Sequence, residues 1–480
     1  MTQCTTERIF CKRLGRREVV ADFTGGQFSS DGGVLLLGKT EERVGVVRRF
    51  AQLFTDHRDP SRVEHSVEEL VRQRVHGLAL GFEDLVDHDE LSRDPLLASV
   101  VGKVDPTGQR RARPSDQGRP LAGKSTLNRL ELTEAEATEA NRYKKIVLDV
   151  ERAERFFAEE FLRAQTEEPD ELVLDFDATD DPLHGEQEGR YFSGYYKEYV
   201  YLPLYVFCGH HLVVAKLRGG DVDAPEGTPD ILAWLVPLIR ERFPKVRIVV
   251  RADSGFARDD IMTWCETHGV GYVFGLAKTS RLVDELADEM AAAKARFERT
   301  GRRARVFKDF VFRTRTSWSR ARRVVGKAEH SGKGANPRFV VTSESRRGCR
   351  GWSAQRLYEE RYCARGDMEN RIKEQQLYLF ADRTSTSKLR SNQIRLWFSS
   401  LAYTLMHALR RLALGGTELA HAQCSTIRLK LLKIGAAVRV TTRKVWVYLA
   451  TSYPFQSLFR RVWARLDALP KAVDGAAMRC

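Results

Sequence analysis

Leu172-Val173-Leu174-Asp175-Phe176-Asp177-Ala178-Thr179-Asp180-Asp181 decides how the chain is read. Its residues alternate. Leu172, Leu174, Phe176 and Ala178 point one way, while Val173, Asp175, Asp177 and Thr179 point the other. This predicts a strand with one apolar face and one face bearing two carboxylates, ended by Pro182 and Gly185. A carboxylate on a core strand is costly unless something compensates it, and a divalent metal is the usual partner. The plainer reading is a strand whose acids emerge at its exposed end, and the stretch by itself favours neither.

Downstream the pattern continues as a sheet. Tyr199–Cys208 and His211–Leu217 read as strands joined at Gly209-His210, a hairpin signal. Pro229–Arg242 reads as an amphipathic helix, Val246–Val250 as a buried strand, Asp259–His268 as a helix and Gly271–Ala277 as another strand. That order predicts an α/β sheet with an antiparallel hairpin after its first strand, the arrangement of an RNase H-like core. Asp253 follows the strand Val246–Val250 and sits where such sheets bind ligands; its bland alternative is a helix N-cap.

A third carboxylate comes from the helix predicted over Arg356–Leu379. At 100° per residue, Tyr362, Arg365, Glu369, Lys373 and Gln376 fall within roughly 80° of one another. Met368, Ile372 and Leu379 form the adjoining apolar stripe, and Glu374 lies off the polar face. An ordinary solvated face would look the same. Three acids from two strands and one packed helix can hold two hard cations and so support in-line phosphoryl displacement. Arg365 and Lys373 would then meet phosphate oxygens.

Composition bounds the rest. The 480 residues carry a formal net charge of +14, and 42% are hydrophobic. This is a globular chain whose excess positive charge points to a polyanion, nucleic acid before membrane. The first residues lack a secretory apolar stretch, and the longest apolar candidate, Leu401–Leu414, contains His407, Arg410 and Arg411. Eight scattered cysteines suit a reducing cytoplasm. Cys208, His210 and His211 lie close together without a second pair at zinc spacing, so no zinc site is expected.

The chain divides as follows: 1–165 mostly helical, 166–277 the first part of the core, 278–344 an inserted, partly β subdomain, 345–415 core helices carrying Glu369, and 416–480 a hairpin and helix region. Helical patterns cover Ser66–Leu80, Asp87–Leu97, Lys124–Leu132 and the long charged stretch Glu134–Ala164. The N-terminal helices suit either a DNA-binding unit or a structural cap. The basic loop 102–118 is flexible and phosphate-seeking in composition. Within 278–344, Leu282–Arg299 reads as a helix, and Trp318 reads as a core residue before a base-stacking one. In 416–480, Thr426–Leu432, a hairpin of Ala437–Val440 and Val445–Ala450, and a helix Phe455–Leu466 are expected. Arg439, Arg443 and Lys444 on that hairpin could touch backbone phosphate.

Gly118-Arg119-Pro120-Leu121-Ala122-Gly123-Lys124-Ser125 matches the P-loop pattern letter for letter. The chemistry of a P-loop requires a buried strand before it and backbone donors around the phosphate. A polar loop precedes this one, and Pro120 removes a donor, so the match is read as chance.

Together these blocks resemble bacterial DDE transposases of the insertion-sequence-four superfamily, specifically the insertion-sequence thirteen-eighty family. The likeness rests on Phe54–Pro60, Ser66–Glu83, Asp87–Pro95, Leu174–Gly185, Glu188-Gly189, Gly194–Gly209, Arg251–Phe256, Tyr362–Glu374, Thr426–Gly435 and Ser452–Pro454. It implies that Asp177, Asp253 and Glu369 bind two Mg²⁺ ions, with Mn²⁺ as a substitute. It favours Asp177 over Asp175, because Ala178-Thr179 follow Asp177 as a small and a hydroxyl residue do in the family. Tyr362, Arg365 and Lys373 would contact DNA. The superfamily's lysine falls at Gln376 here, with Lys373 one turn earlier on the same face. The resemblance implies cleavage of element ends, strand transfer into target DNA, double-stranded DNA as partner, a homodimer in the synaptic complex, and action in the bacterial cytoplasm at the nucleoid. A transposase-derived DNA-binding protein and a P-loop NTPase assisting transposition are the alternatives.

Overall fold

The computed structural model describes residues 8–347 and 351–472. The chain forms two compact units, one from Asp149 to Ser400, the other combining the chain up to Leu148 with the chain from Leu401 onward. The first of these carries the quoted strand.

Its framework is a nine-stranded mixed sheet. Glu171–Ala178, Arg247–Ala252 and Gly271–Leu276 are parallel at its centre. The hairpin Leu204–Cys208 and His211–Lys216 flanks Glu171–Ala178 antiparallel, turning at Gly209, whose φ is +59°. The alternation of strands and helices expected for this region is therefore present, and so is the mixed α/β class. On the other side, Arg338–Thr342, Arg322–Ser331 and Ala304–Phe312 continue the same sheet. The segment expected as an inserted subdomain is partly β, but its strands extend the central sheet. Val324, Val325, Val340 and Val341 are fully buried there, which a strand standing apart on a small sheet would not achieve.

Each face of the sheet is covered differently. Leu172, Leu174, Phe176, Val250 and Phe274 face a large apolar core closed by helices such as Thr228–Arg242 and Asp259–Thr267. Val249, Val273, Val325 and Val340 face the other way, against Leu357 and Tyr358. Each such buried side chain is worth about 1.5–3 kcal/mol. The second face is the one onto which the odd-numbered residues Asp175 and Asp177 alternate. The helical run covering it is not one regular helix. It passes through a π turn, Leu357–Tyr362, and a 3₁₀ turn, Cys363–Arg365, before Gly366–Leu379.

Several expected elements are cut by local chemistry. Glu134–Ala164 is not one helix: Ile146–Leu148 is a strand paired with Phe54–Asp56, and the helix is Val150–Ala164. Asp149 caps it, its side chain accepting the Arg152 amide at 3.1 Å. Ala158, Phe161 and Leu162 dock this helix on the sheet, within the compact unit Asp149–Ser400. Asp87–Leu97 splits into Asp87–Leu91 and Pro95–Val101, because Asp94 and Pro95 start a new helix. Leu282–Arg299 splits at Leu286 into Ser280–Glu285 and Ala287–Thr300. Tyr199–Cys208 breaks at Leu202-Pro203, where proline has no ladder donor.

In the other unit, Ser66 and Glu69 form a capping box at the start of Val67–Leu80. Thr426–Leu432 falls in the turns Cys424–Ile427 and Arg428–Leu432, and the last helix is Gln456–Ala468. The hairpin Ala436–Val440 and Val445–Leu449 takes Gln27–Ser29 as a third strand. Gly33 permits a close approach there: a Cβ would lie 1.8 Å from the Leu431 carbonyl oxygen. No helix among the described residues is long and apolar enough to cross a membrane.

Candidate active site

Asp177 lies near the carboxyl end of the central strand Glu171–Ala178, and Asp253 directly follows its parallel neighbour Arg247–Ala252. Glu369 projects from Gly366–Leu379, the helix packed on that strand. Arg365, one turn before Glu369, joins the two elements. Its Nη1 donates to Asp177 Oδ2 at 2.9 Å and its Nη2 to Glu369 Oε1 at 3.2 Å. Asp253 Oδ1 accepts the Gly255 amide at 2.8 Å, so the N-cap role is real and leaves its other oxygen for further contacts.

The three acids act on one another. Asp177 is pushed up to about 6, first by burial; Arg365 opposes this, while Asp253 and Glu369 add to it. Burial raises the Tyr362 hydroxyl as well, with Arg365 opposing and Asp253 adding. Tyr362 reaches over Gly275, where a Cβ would come within 2.5 Å of its hydroxyl oxygen and 3.2 Å of the Asp253 carbonyl carbon. Glycine at 275 is thus what lets Tyr362 and Asp253 approach. A cleft of about 200 Å³ opens beside them, lined in part by Ser254, Lys278, Arg338 and Tyr362.

Asp175 has a different fate. It is 3% exposed and gripped by Arg251, Nε to Oδ1 at 2.5 Å and Nη2 to Oδ2 at 2.7 Å. Arg251 also donates to the Arg361 carbonyl at 2.6 Å, and Arg361 donates to Glu171 at 2.6 Å. Burial raises the Asp175 carboxyl and Arg251 opposes it. Asp175 is an anchor for the helical run, and its oxygens are already engaged.

Among the described residues, no three histidine, cysteine or carboxylate side chains close into a ready metal cage. Arg365 supplies the positive charge between Asp177 and Glu369 instead. The donor set nevertheless suits a hard dication: oxygen ligands from three elements, one of them mostly buried and repelled by the other two. Burial pushes the Cys208 thiol up to about 12.

Of the remaining predicted residues, Lys373 is exposed, and Gln376 donates to the Asp180 carbonyl at 3.0 Å, bracing the chain just beyond Asp177. Glu374 is buried. Trp318 is 4% exposed, edge-on to Phe312 at 6.0 Å, and is a core residue. Arg439, Arg443 and Lys444 lie exposed on the hairpin of the other unit, where Lys444 sits 5.1 Å over the Trp446 ring. In the P-loop-like stretch the element directly before the helix Lys124–Glu131 is a 3₁₀ turn, Pro114–Asp116, not a strand, and Asp89 takes the Lys124 amide at 3.0 Å. Sequence reasoning misses Arg251 and Arg361. Arg251 is legible in principle, since it shares a strand face with Asp253, and a buried acid such as Asp175 demands a cationic partner.

Residues 11–471 match the family model described as transposase DDE domain group 1. No curated protein matches the chain.

Proposed function

The chain belongs to the transposase DDE domain family, and from that premise we propose that it is a DNA transposase whose RNase H-like core cuts insertion-sequence ends and joins them to target DNA. The finer placement is the insertion-sequence thirteen-eighty family. Asp177, Asp253 and Glu369 would hold two Mg²⁺ ions, with Mn²⁺ as substitute. When bound, such a pair stabilises both the attacking and the leaving oxygen of an in-line phosphoryl displacement.

The protein's own residues orient the substrate. Arg365, now spread across two carboxylates, turns its guanidinium to the non-bridging oxygens of the scissile phosphate. Tyr362 and Lys373 flank that phosphate, and Gln376 fixes the turn after Asp177. Water forms the new bond to phosphorus and the 3′ oxygen leaves, giving a 5′ phosphate and a free 3′-hydroxyl. That hydroxyl then attacks a target phosphodiester, and the target's own 3′ oxygen leaves. Double-stranded terminal repeats, a target duplex and a second copy of the chain in the synaptic complex are the partners, in the bacterial cytoplasm.

The observation carrying this reading is the convergence of Asp177 and Glu369 on Arg365, with Asp253 within electrostatic reach. Mn²⁺ titrated calorimetrically into wild type and Asp253→Ala tests it alongside cleavage of a labelled duplex end. Loss of both binding and cutting in the variant is expected; equal binding by both proteins removes Asp253 from the site.

A further inference from the structure

The unit that includes the chain up to Leu148 contains a second charged site. An open cleft of about 920 Å³ is lined by seven arginines against three carboxylates, Glu64, Asp89 and Asp116. The arginines come from three separate pieces of chain: the turn after Phe54–Asp56, the loop 110–119, and the helix Lys124–Glu131.

Three of them are committed, Arg62 through its Nε, 3.5 Å from Asp59. Arg58 is held by both oxygens of Asp56, and Arg111 is held by Glu64 at 2.5 Å and donates to His65 Nε2 at 2.8 Å. The other four form no salt bridge among the described residues. Arg110, Arg113 and Arg119 are exposed at the cleft. Arg129 is half-buried, has no carboxylate partner among the described residues, and its charge is disfavoured first by burial and then by the neighbouring Arg58. His65, 5% exposed in the wall, is held neutral by burial and by Lys103, Arg111 and Arg58. Seven arginines around three carboxylates leave the cleft with excess positive charge, which attracts an anion.

The anion's class follows from the shape. A single nucleotide phosphate needs one tight cradle of amides. Here Asp89 already occupies the amide and the ammonium of Lys124, the latter at 3.3 Å, so the one P-loop-like cradle is closed. The arginines are instead spread around an open cleft, which suits several phosphates in a row. We propose that this arginine cleft grips the phosphodiester backbone of duplex DNA, positioning it without reading its sequence. The choice of DNA as the polyanion rests on the transposase reading; the anion site rests on the cleft alone.

The test uses the full chain and a labelled duplex of unrelated sequence, with affinity measured by anisotropy from 50 to 200 mM salt. The triple variant Arg113→Gln, Arg119→Gln, Arg129→Gln should lose about 0.9 of log–log salt slope for each phosphate contact removed. Arg129→Lys should keep the slope, and so should a control that removes the same charge from the other unit, Arg296→Gln, Arg299→Gln, Arg302→Gln. An unchanged slope in the first variant, or an equal loss in the control, overturns the proposal. So does saturable binding of ATP that Lys124→Ala abolishes, which would make a nucleotide the ligand. Asp253→Ala should keep the wild-type slope. Slope loss in a protein that never cuts sinks the transposase reading alone; normal cutting with an unchanged slope sinks the cleft alone.

Discussion

Arg251 and Asp175 lie opposite each other on adjacent parallel strands, and both oxygens of Asp175 are bonded by that one guanidinium. Two residues further, Asp177 on the same strand meets Arg365 and the other acids. One strand face thus separates an anchoring carboxylate from the one proposed to hold metal, within a single alternation.

The anchor predicts a stability effect. Arg251→Ala strands a buried carboxylate and releases the Arg361 carbonyl, and should destabilise the protein by about 3–5 kcal/mol in denaturant unfolding. A change under about 1 kcal/mol would mean that the pair does not hold the helical run to the sheet.

Arg365 predicts a split between metal and DNA. Arg365→Gln removes the cation competing for Asp177 and Glu369, so Mn²⁺ binding without DNA should be as tight as wild type or tighter. Cleavage should fall by about 10² or more, because the phosphate loses its guanidinium. Weaker Mn²⁺ binding in the variant would contradict the bridging role.

Glu41 predicts a pH dependence in the other unit. It is buried, accepts the Val47 and Arg48 amides at 3.1 and 2.9 Å, and burial pushes it up to about 7. The folded protein therefore holds a proton that the unfolded chain releases near its ordinary value of 4.5. Stability from this group is greatest at low pH and falls as pH rises from about 4.5 to about 7, by about 1.4 kcal/mol for each step of one in pH. Glu41→Gln should flatten that fall. Unfolding midpoints at pH 5 and pH 8 that differ equally in both proteins would exclude Glu41 as its source.

What the sequence disclosed depended on range. The strands at 171, 247 and 271 were legible because each is a continuous or alternating apolar run, and Ser66 announced its helix through Glu69 three residues on. Asp175 and Asp177 looked equivalent by alternation, which gives both the same face; the family resemblance alone separated them in the sequence, and in the structure their different partners, Arg251 and Arg365, do so. The extension of the sheet by 304–342 is a matter of non-local pairing, which periodicity does not encode. The π turn at Leu357–Tyr362 has no pattern of its own, yet it sets the phase with which Tyr362 and Arg365 face the strand. Asp149, in contrast, was a readable N-cap that the run of good helix formers around it concealed.

If Asp177, with Asp253 and Glu369, does the chemistry while Asp175 builds the support, the two aspartates of one strand face must respond differently to the same substitution. The decisive measurement is cleavage of a labelled DNA end with Mg²⁺, run beside a gel shift on the same DNA, for Asp177→Asn and Asp175→Asn. Asp177→Asn should bind normally and not cut, and Asp175→Asn should retain reduced cleavage through a weakened grip on Arg251. Normal cleavage by Asp177→Asn, with Asp175→Asn dead though folded, would contradict this division between the two acids.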